Sequence, residues 1–440
     1  IDRKMYNARK DLRYTGRTLF GAEPPKGQEL EDQYFGSIRT RVLAFMEDVD
    51  KQLWRLGVSA KTRHNEVAPS QHELAPVYAT VNVATDHNLL TMEVLKKTAE
   101  RHGLACLLHE KPFKGVNGSG KHNNWSISTD TGVNLLSPGK DPANNLLFLA
   151  TVAAVIKAVH EHSDLLRLSV ATAGNDHRLG ANEAPPAIIS VYLGDQLTEI
   201  FEAAASGKKY KGAASEKAMV GVSAVPDFIK DNSDRNRTSP FAFTGNKFEF
   251  RALGSSLNIA CPNMMINVAV ADAMESMLGT LEKAKPADFE KTARKLIKDT
   301  YLAHKAVVFN GNNYSSEWID VESKKRGLPE IKSTPEALPY YTLPKNVELL
   351  ARYGVMNARE CEARKEILLE QYAKVINIEA YTMYKMTAKM ILPACVEFMN
   401  VLSESVANKK DLGMTYDYEG SIHYKAGKLT DEAYARNNKL

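Results

Sequence analysis

Apolar periodicity changes character near residue 260 of this 440-residue chain, and that change limits what the chain can fold into. Before it, short β-branched runs bounded by Pro or Gly alternate with helical stretches. After it, the segments 263–283, 286–305, 345–354 and 357–404 repeat on three- and four-residue steps. Proline lacks an amide donor, so the last of these is expected to be interrupted around Leu392-Pro393. The pattern predicts an α+β region of about 275 residues (1–275) and a helical C-terminal extension over 276–440.

Within the front region, residues 1–35 are polar and turn-rich and read as strand remnants and loops. A helix is predicted from Arg39 to Leu56, where Val42, Leu43, Phe45, Met46, Val49 and Leu53 recur at helical steps and Gly57 stands where a C-cap would. Others are predicted at 86–102, with Asp86 as N-cap, and at 142–165, whose stretch Leu146–Ala150 is apolar nearly all round and must be deeply buried. Tyr78–Val83 and Ala187–Leu193 read as strands, and 205–240 as an irregular excursion.

Composition narrows the class. Apolar residues make up 44% and charged residues 25%, which excludes collagen-like, disordered and disulfide-scaffold chains. A balance of 57 basic against 53 acidic residues is too even to indicate a nucleic-acid or membrane-surface partner, so an anionic ligand has to be held locally. No unbroken apolar run approaches membrane-spanning length, and four cysteines far apart suit buried thiols in a reducing compartment; the cytoplasm is the expected location. A start at Ile1-Asp2 reads as an excerpt of a longer chain.

Four segments concentrate polar residues. In His64-Asn65-Glu66-Val67-Ala68-Pro69-Ser70-Gln71-His72-Glu73, Pro69 argues against a helix, so the segment must turn. If the bend falls at Pro69-Ser70, Glu66 and Glu73 can point into one site, a carboxylate pair of the kind that hard divalent cations such as Mg²⁺ or Mn²⁺ favour. Two surface glutamates on a loop would give the same pattern. In Asn117-Gly118-Ser119-Gly120-Lys121-His122-Asn123-Asn124-Trp125-Ser126-Ile127-Ser128, the glycines permit close backbone approach, and His122, Asn124, Ser126 and Ser128 alternate with Trp125 and Ile127. That strand either presents a metal ligand and hydrogen-bonding groups or is half-exposed by default.

The third segment, Gly174 to Pro186, contains Arg178 and Glu183 in a Gly- and Pro-punctuated loop that could line a site or simply be solvated. The fourth runs from Asp234-Arg235-Asn236-Arg237 to Lys247-Phe248-Glu249-Phe250-Arg251. On a strand, Lys247, Glu249 and Arg251 share one face, either as a surface ion-pair ladder or as a metal-binding carboxylate between cations that clamp anionic oxygens. Together the inventory suits metal-assisted chemistry on a phosphate and a carboxylic acid.

In the same order, these segments resemble the motifs of glutamine synthetase, specifically its long type III form. NEVAPSQHE resembles the carboxylate pair, NGSGKHNNWS the glycine loop and metal-histidine strand, NDHRLGANEAPP the flap, and NRTSPFAFTGNKFEFR the NRS and R-x-E-x-R segments. The resemblance implies an α+β catalytic domain, a curved antiparallel sheet or half-barrel with surrounding helices, followed by a helical extension. It implies ATP-dependent ligation of ammonium to glutamate with two or three Mg²⁺ or Mn²⁺ ions per site, in a homo-oligomer of two hexameric rings, a dodecamer.

Carried over residue by residue, the resemblance gives Glu66 and Glu73 to one metal and His122 with Glu249 to another. Asn117, Gly118, Arg178 and Arg251 would contact glutamate. Asn124, Ser126, Arg237 and Lys247 would face ATP, Arg178 and Arg251 would neutralise the carboxylates of glutamate or the transferred phosphoryl group, and Arg178, Arg237 and Glu183 would be the catalytic residues. Glu183 would close over the intermediate and deprotonate ammonium. Three positions depart from the pattern: Lys247 and Ala242 where the family carries Arg, and Asn124 where many members carry His. The family's remaining metal carboxylates and its small N-terminal β domain would precede Ile1. A catalytically silent relative, or a ligase of the same fold with another acceptor, remains open at this point.

Overall fold

The structure, a computed structural model, describes residues 1–21, 30, 32–118, 120–180, 184, 186–208, 210, 217–218, 228–229 and 237–439. Ser119, Glu183 and Asp234–Asn236, all within the polar segments above, lie outside the described residues.

The front end is helical where loops and strand remnants were expected. Asp2 starts α1 (Arg3–Ala8) by accepting from the amides of Lys4 at 2.8 Å and Met5 at 3.4 Å. α2 (Lys10–Thr15) ends at Gly16, whose φ of 74° is the left-handed conformation that glycine adopts without strain. α3 (Asp32–Phe35) adds one turn, and α4 (Thr40–Arg55) follows its expected span with Val49 and Leu53 fully buried. β1 (Ala60–Asn65) and β2 (His72–Pro76) form an antiparallel hairpin.

α5 (Val81–Arg101) begins five residues ahead of the predicted cap at Asp86 and takes in the second half of the strand expected at 78–83. Val81 and Val83 are exposed, and Ala84 donates to the Thr80 carbonyl at 2.8 Å, so local β preference yields to helical closure where, among the described residues, no sheet covers these valines. β3 (Gly120–Trp125) is followed by α6 (Leu146–Leu168), the short α7 (Ala173–Asp176), β4 (Val191–Tyr192) and α8 (Asp195–Ser206). Of the strand expected over 187–193 only Val191 and Tyr192 are paired; Ile188 and Ile189 are buried core residues ahead of it. β5 (Lys217–Ala218) pairs with β6 (Phe228–Ile229), and β7 (Phe241–Phe243) leads into β8 (Phe248–Gly254).

The main sheet has the order β3-β8-β7-β4, antiparallel except for the parallel β7–β4 contact. One face carries Phe241, Phe248 and Phe250, all fully buried, with Phe241 and Phe248 stacked at 4.8 Å between centroids. Against this layer lies α6, apolar nearly all round as its sequence predicted, and α9 (Ala260–Leu281) packs on α6. Burial of so much aromatic and branched surface, at about 25 cal/mol per Å², is what anchors the strands that carry the polar segments.

The helical remainder comprises α10 (Phe289–His304), α11 (Ser323–Lys325), α12 (Thr334–Ala337), α13 (Pro344–Arg352), α14 (Ala358–Met386), α15 (Leu392–Asp411) and α16 (Asp417–Asn437). The interruption expected around Leu392-Pro393 is a π-helical turn at Thr387–Ile391 between α14 and α15, with Pro393 in the first turn of α15, where its missing amide donor costs least. α16 packs on α15, and α14 runs back onto α2. Among the described residues, two helical spans are long and apolar enough by length and composition to cross a membrane, Leu146–Leu168 and Ala358–Asp411. The first is the core helix, with 67% of its apolar window buried, against 6% for the second. The four cysteines are free thiols.

Candidate active site

Pro69 and Ser70 do form the bend of the first polar segment. Glu66 donates its amide to Gln71 O at 3.0 Å, Gln71 donates to Ala68 O at 3.1 Å, and Ser70 takes a φ of 62°. The hairpin register sets His64 opposite Glu73, and Glu66 follows two residues after His64. As a result His64 Nε2 lies 3.2 Å from Glu73 Oε2 and His64 Nδ1 lies 3.8 Å from Glu66 Oε1. One ligand atom from each of the three residues falls within 4.8 Å of the others. Two carboxylates and an imidazole, all partly open to water, form a donor set that fits a divalent cation. His64 had no role in the sequence reading; its signal was the i, i+2 spacing to Glu66, which becomes informative only once β1 is known to be a strand.

The second cluster sits on the sheet. A bulge between Lys121 and Asn123 shifts the β3–β8 register and re-aims the side chains around it. His122 Nδ1 comes to 3.0 Å from Glu249 Oε1, and Arg251 Nη1 to 3.4 Å from Glu249 Oε2. Glu249 and Arg251 are each 1% exposed, so the charged face expected on β8 is a buried pair and not a surface ladder. Arg251 Nε and Nη2 have no hydrogen-bond partner among the described residues, and buried donors of this kind are costly unless a ligand meets them. The opposite face carries Phe248 and Phe250 as predicted.

Arg178 is buried too and donates from Nη2 to the Arg251 carbonyl at 3.0 Å. The two described glycines of the second segment make room for it. A Cβ at Gly120 would lie 2.5 Å from two Arg178 nitrogens, and one at Gly118 would lie 2.6 Å from the Glu110 carbonyl and 2.8 Å from Arg178 Cγ. Gln71 Nε2 donates to the Asn117 carbonyl at 2.9 Å, which ties the hairpin turn to the glycine loop. The structure therefore gathers Asn117, Gly118, His122, Arg178, Glu249 and Arg251, with Glu66 and Glu73 on the adjoining hairpin. Asn124 and Ser126 are exposed, at the end of β3 and just beyond it. Arg237 is exposed and Lys247 half-buried, all four outside the buried cluster. Glu183 lies outside the described residues.

Two further groups had no sequence signal. Glu110, 1% exposed, accepts from the Ser256 amide at 3.0 Å and from the Ser256 hydroxyl; a Cβ on Gly174 or Gly254 would collide with its carboxylate. Lys121 donates to the carbonyls of Ser255 and Leu257, and desolvation lowers its ammonium to about 8.

Two models from one family match this chain, the glutamine synthetase catalytic domain over residues 7–189 and the glutamine synthetase C-terminal domain over 292–410. The chain belongs to the glutamine synthetase family. It is type III-like. It is 52% identical over 415 residues to the glutamine synthetase of Butyrivibrio fibrisolvens, covering 94% of this chain and 58% of that protein. It is 49% identical over 407 residues to the type-3 glutamine synthetase of Dictyostelium discoideum, covering 92% and 55%. The chain thus spans little more than half the length of these glutamine synthetases. Among solved structures, the ADP complex of GmaS superposes with a TM-score of 0.52 at 18% identity, covering 81% of this chain and 66% of that one. Plasmodium falciparum glutamine synthetase superposes with a TM-score of 0.50 at 14% identity, covering 82% and 62%. At these identities the likeness is one of fold: a glutamine synthetase catalytic fold with a C-terminal helical domain.

Proposed function

We propose that this chain forms the catalytic part of a glutamate–ammonia ligase that makes glutamine with ATP. The observation that supports it best is the half-buried His122 on the buried Glu249–Arg251 pair, beside Arg178. It combines a metal-type donor pair with two buried guanidinium groups, as a reaction that moves charge between a phosphate and a carboxylate requires.

In this reading the donor set of His64, Glu66 and Glu73 would hold one divalent cation, and His122 with Glu249 would hold another; when bound, such cations would supply positive charge against the phosphates. Arg251 and Arg178 bind the carboxylates of glutamate, with Asn117 and Gly118 at the mouth of the glycine loop. Asn124, Ser126, Arg237 and Lys247 face the nucleotide. A γ-carboxylate oxygen of glutamate attacks the terminal phosphorus of ATP, forming γ-glutamyl phosphate and releasing ADP. Ammonia then attacks the acyl carbon, phosphate leaves, and the surplus proton passes to Glu183 as it closes the site against water. The division near residue 275, a cytoplasmic location and a double-ring homododecamer belong to the same proposal.

The test is made on the natural protein: glutamine formation and phosphate release, each with glutamate, ammonium and ATP withheld in turn, in Mg²⁺ and in Mn²⁺. Product that needs all three substrates is expected. Absence of ammonium-dependent product in both metals refutes the proposal, and turnover with a different acid alone redirects it to another acceptor.

A further inference from the structure

We infer that Glu379, on the C-terminal helix α14, is a positioning residue for Arg178; this rests on the reading of Arg178 as a glutamate-binding group. Glu379 is 7% exposed and faces inward. Its carboxylate accepts two hydrogen bonds from Arg17, from Nε at 2.7 Å and from Nη2 at 2.7 Å, between residues 362 positions apart. The two-pronged geometry fixes the carboxylate in angle as well as distance. The same Oε2 lies 3.7 Å from His177 Nε2, and His177 immediately precedes Arg178.

The other sides of this turn are already held. Asn175 Nδ2 donates to Val170 O at 2.8 Å and Ala252 O at 2.9 Å. Asp176 accepts from Arg167 Nη2 at 3.1 Å and from the Thr334 amide at 2.6 Å. Arg178 itself is pinned to the Arg251 carbonyl with its guanidinium against Gly120. Glu379 supplies the contact to the remaining residue, His177. Because His177 and Arg178 share a rigid peptide plane, displacing the first moves the Cα of the second. Arg17 belongs to the same node: the Gly16 beside it packs on the His109 ring, 3.4 Å from the place of a Cβ, and His109 adjoins Glu110 under the glycine loop. The extension thereby reaches the substrate arginine through one buried carboxylate.

A contact that only fastened the helical block would lower the folded fraction and leave substrate constants alone. A positioning contact shifts one of them selectively. In the natural protein, Glu379→Gln is expected to raise KM for glutamate about tenfold or more, with KM for ATP within about twofold of wild type. Arg17→Lys keeps the charge, loses the two-pronged grip and is expected to show the same split to a smaller degree; it serves if Glu379→Gln does not fold. An active wild type whose variants leave KM for glutamate unchanged, or raise both constants equally, overturns this inference alone. A wild type that makes no glutamine overturns the proposed function and this inference with it.

Discussion

His122 Nδ1 and Glu249 Oε1 meet at 3.0 Å across two neighbouring strands, with Arg251 against the other oxygen of the same carboxylate. Opposed in this way, the pair can close on a cation with Arg251 beside the same carboxylate. His122→Ala removes the neutral nitrogen donor. The expected outcome is an increase of about tenfold or more in the Mn²⁺ concentration for half-saturation, read by calorimetry on the natural protein as well as by activity. An unchanged titration removes His122 from the metal.

The two described glycines of the loop are predicted to behave differently. At Gly118 an added methyl meets the Glu110 carbonyl, which is backbone and cannot step aside, so Gly118→Ala should cost about 1–3 kcal/mol of stability. At Gly120 it meets the end of the Arg178 side chain. Gly120→Ala should cost less stability than Gly118→Ala, because a side-chain end can give way where backbone cannot, and should raise KM for glutamate. Thermal melts and steady-state kinetics on both variants separate the cases.

Glu379 also sets a pH dependence. Burial alone would raise its carboxyl, but the Arg17 and His177 contacts hold it near 2, below an ordinary value of 4.5. A depressed carboxyl stabilises the fold above its unfolded pKa, and that stabilisation fades as pH falls from about 4.5 toward 2, amounting to about 3 kcal/mol at neutral pH. Glu379→Gln should therefore melt well below wild type at pH 7, and the gap should narrow steadily between pH 4.5 and pH 3. A constant gap would contradict the ion pair.

Glu183→Ala is predicted to spare the first half-reaction. Acyl-phosphate formation, trapped with hydroxylamine, should survive better than amide formation from ammonium, since only the second step delivers a proton to Glu183. Equal loss of both steps refutes the flap role.

Much of this architecture was legible from local pattern. The span of α4, the buried character of α6, the turn at Pro69-Ser70 and the helical block after residue 260 follow from periods of two to four residues and from the missing amide of proline. Where local preference misled, tertiary context decided: Val81 and Val83 lie in α5, exposed and, among the described residues, paired with no strand, whereas the interruption expected at Leu392-Pro393 is present as the π-helical turn just ahead of it. The motif segments pointed to a family but not to the arrangement of their side chains. Glu249 and Arg251 could have formed a surface ladder; the tertiary fold instead leaves each only 1% exposed, on the sheet face opposite Phe248 and Phe250, and makes them a desolvated pair.

By itself the sequence determined an α+β region followed by helices, a turn between two glutamates, and the residue types from which a phosphate-and-carboxylate site is proposed. Only the tertiary structure added His64 to Glu66 and Glu73, set His122 on Glu249 through a bulge, buried Glu110 behind the glycine loop, and brought Glu379 to Arg17 and His177. The physical reason is range. Backbone preferences act over a few residues, whereas a pair separated by hundreds of residues forms only when the whole core packs so that its burial and hydrogen bonds are satisfied together.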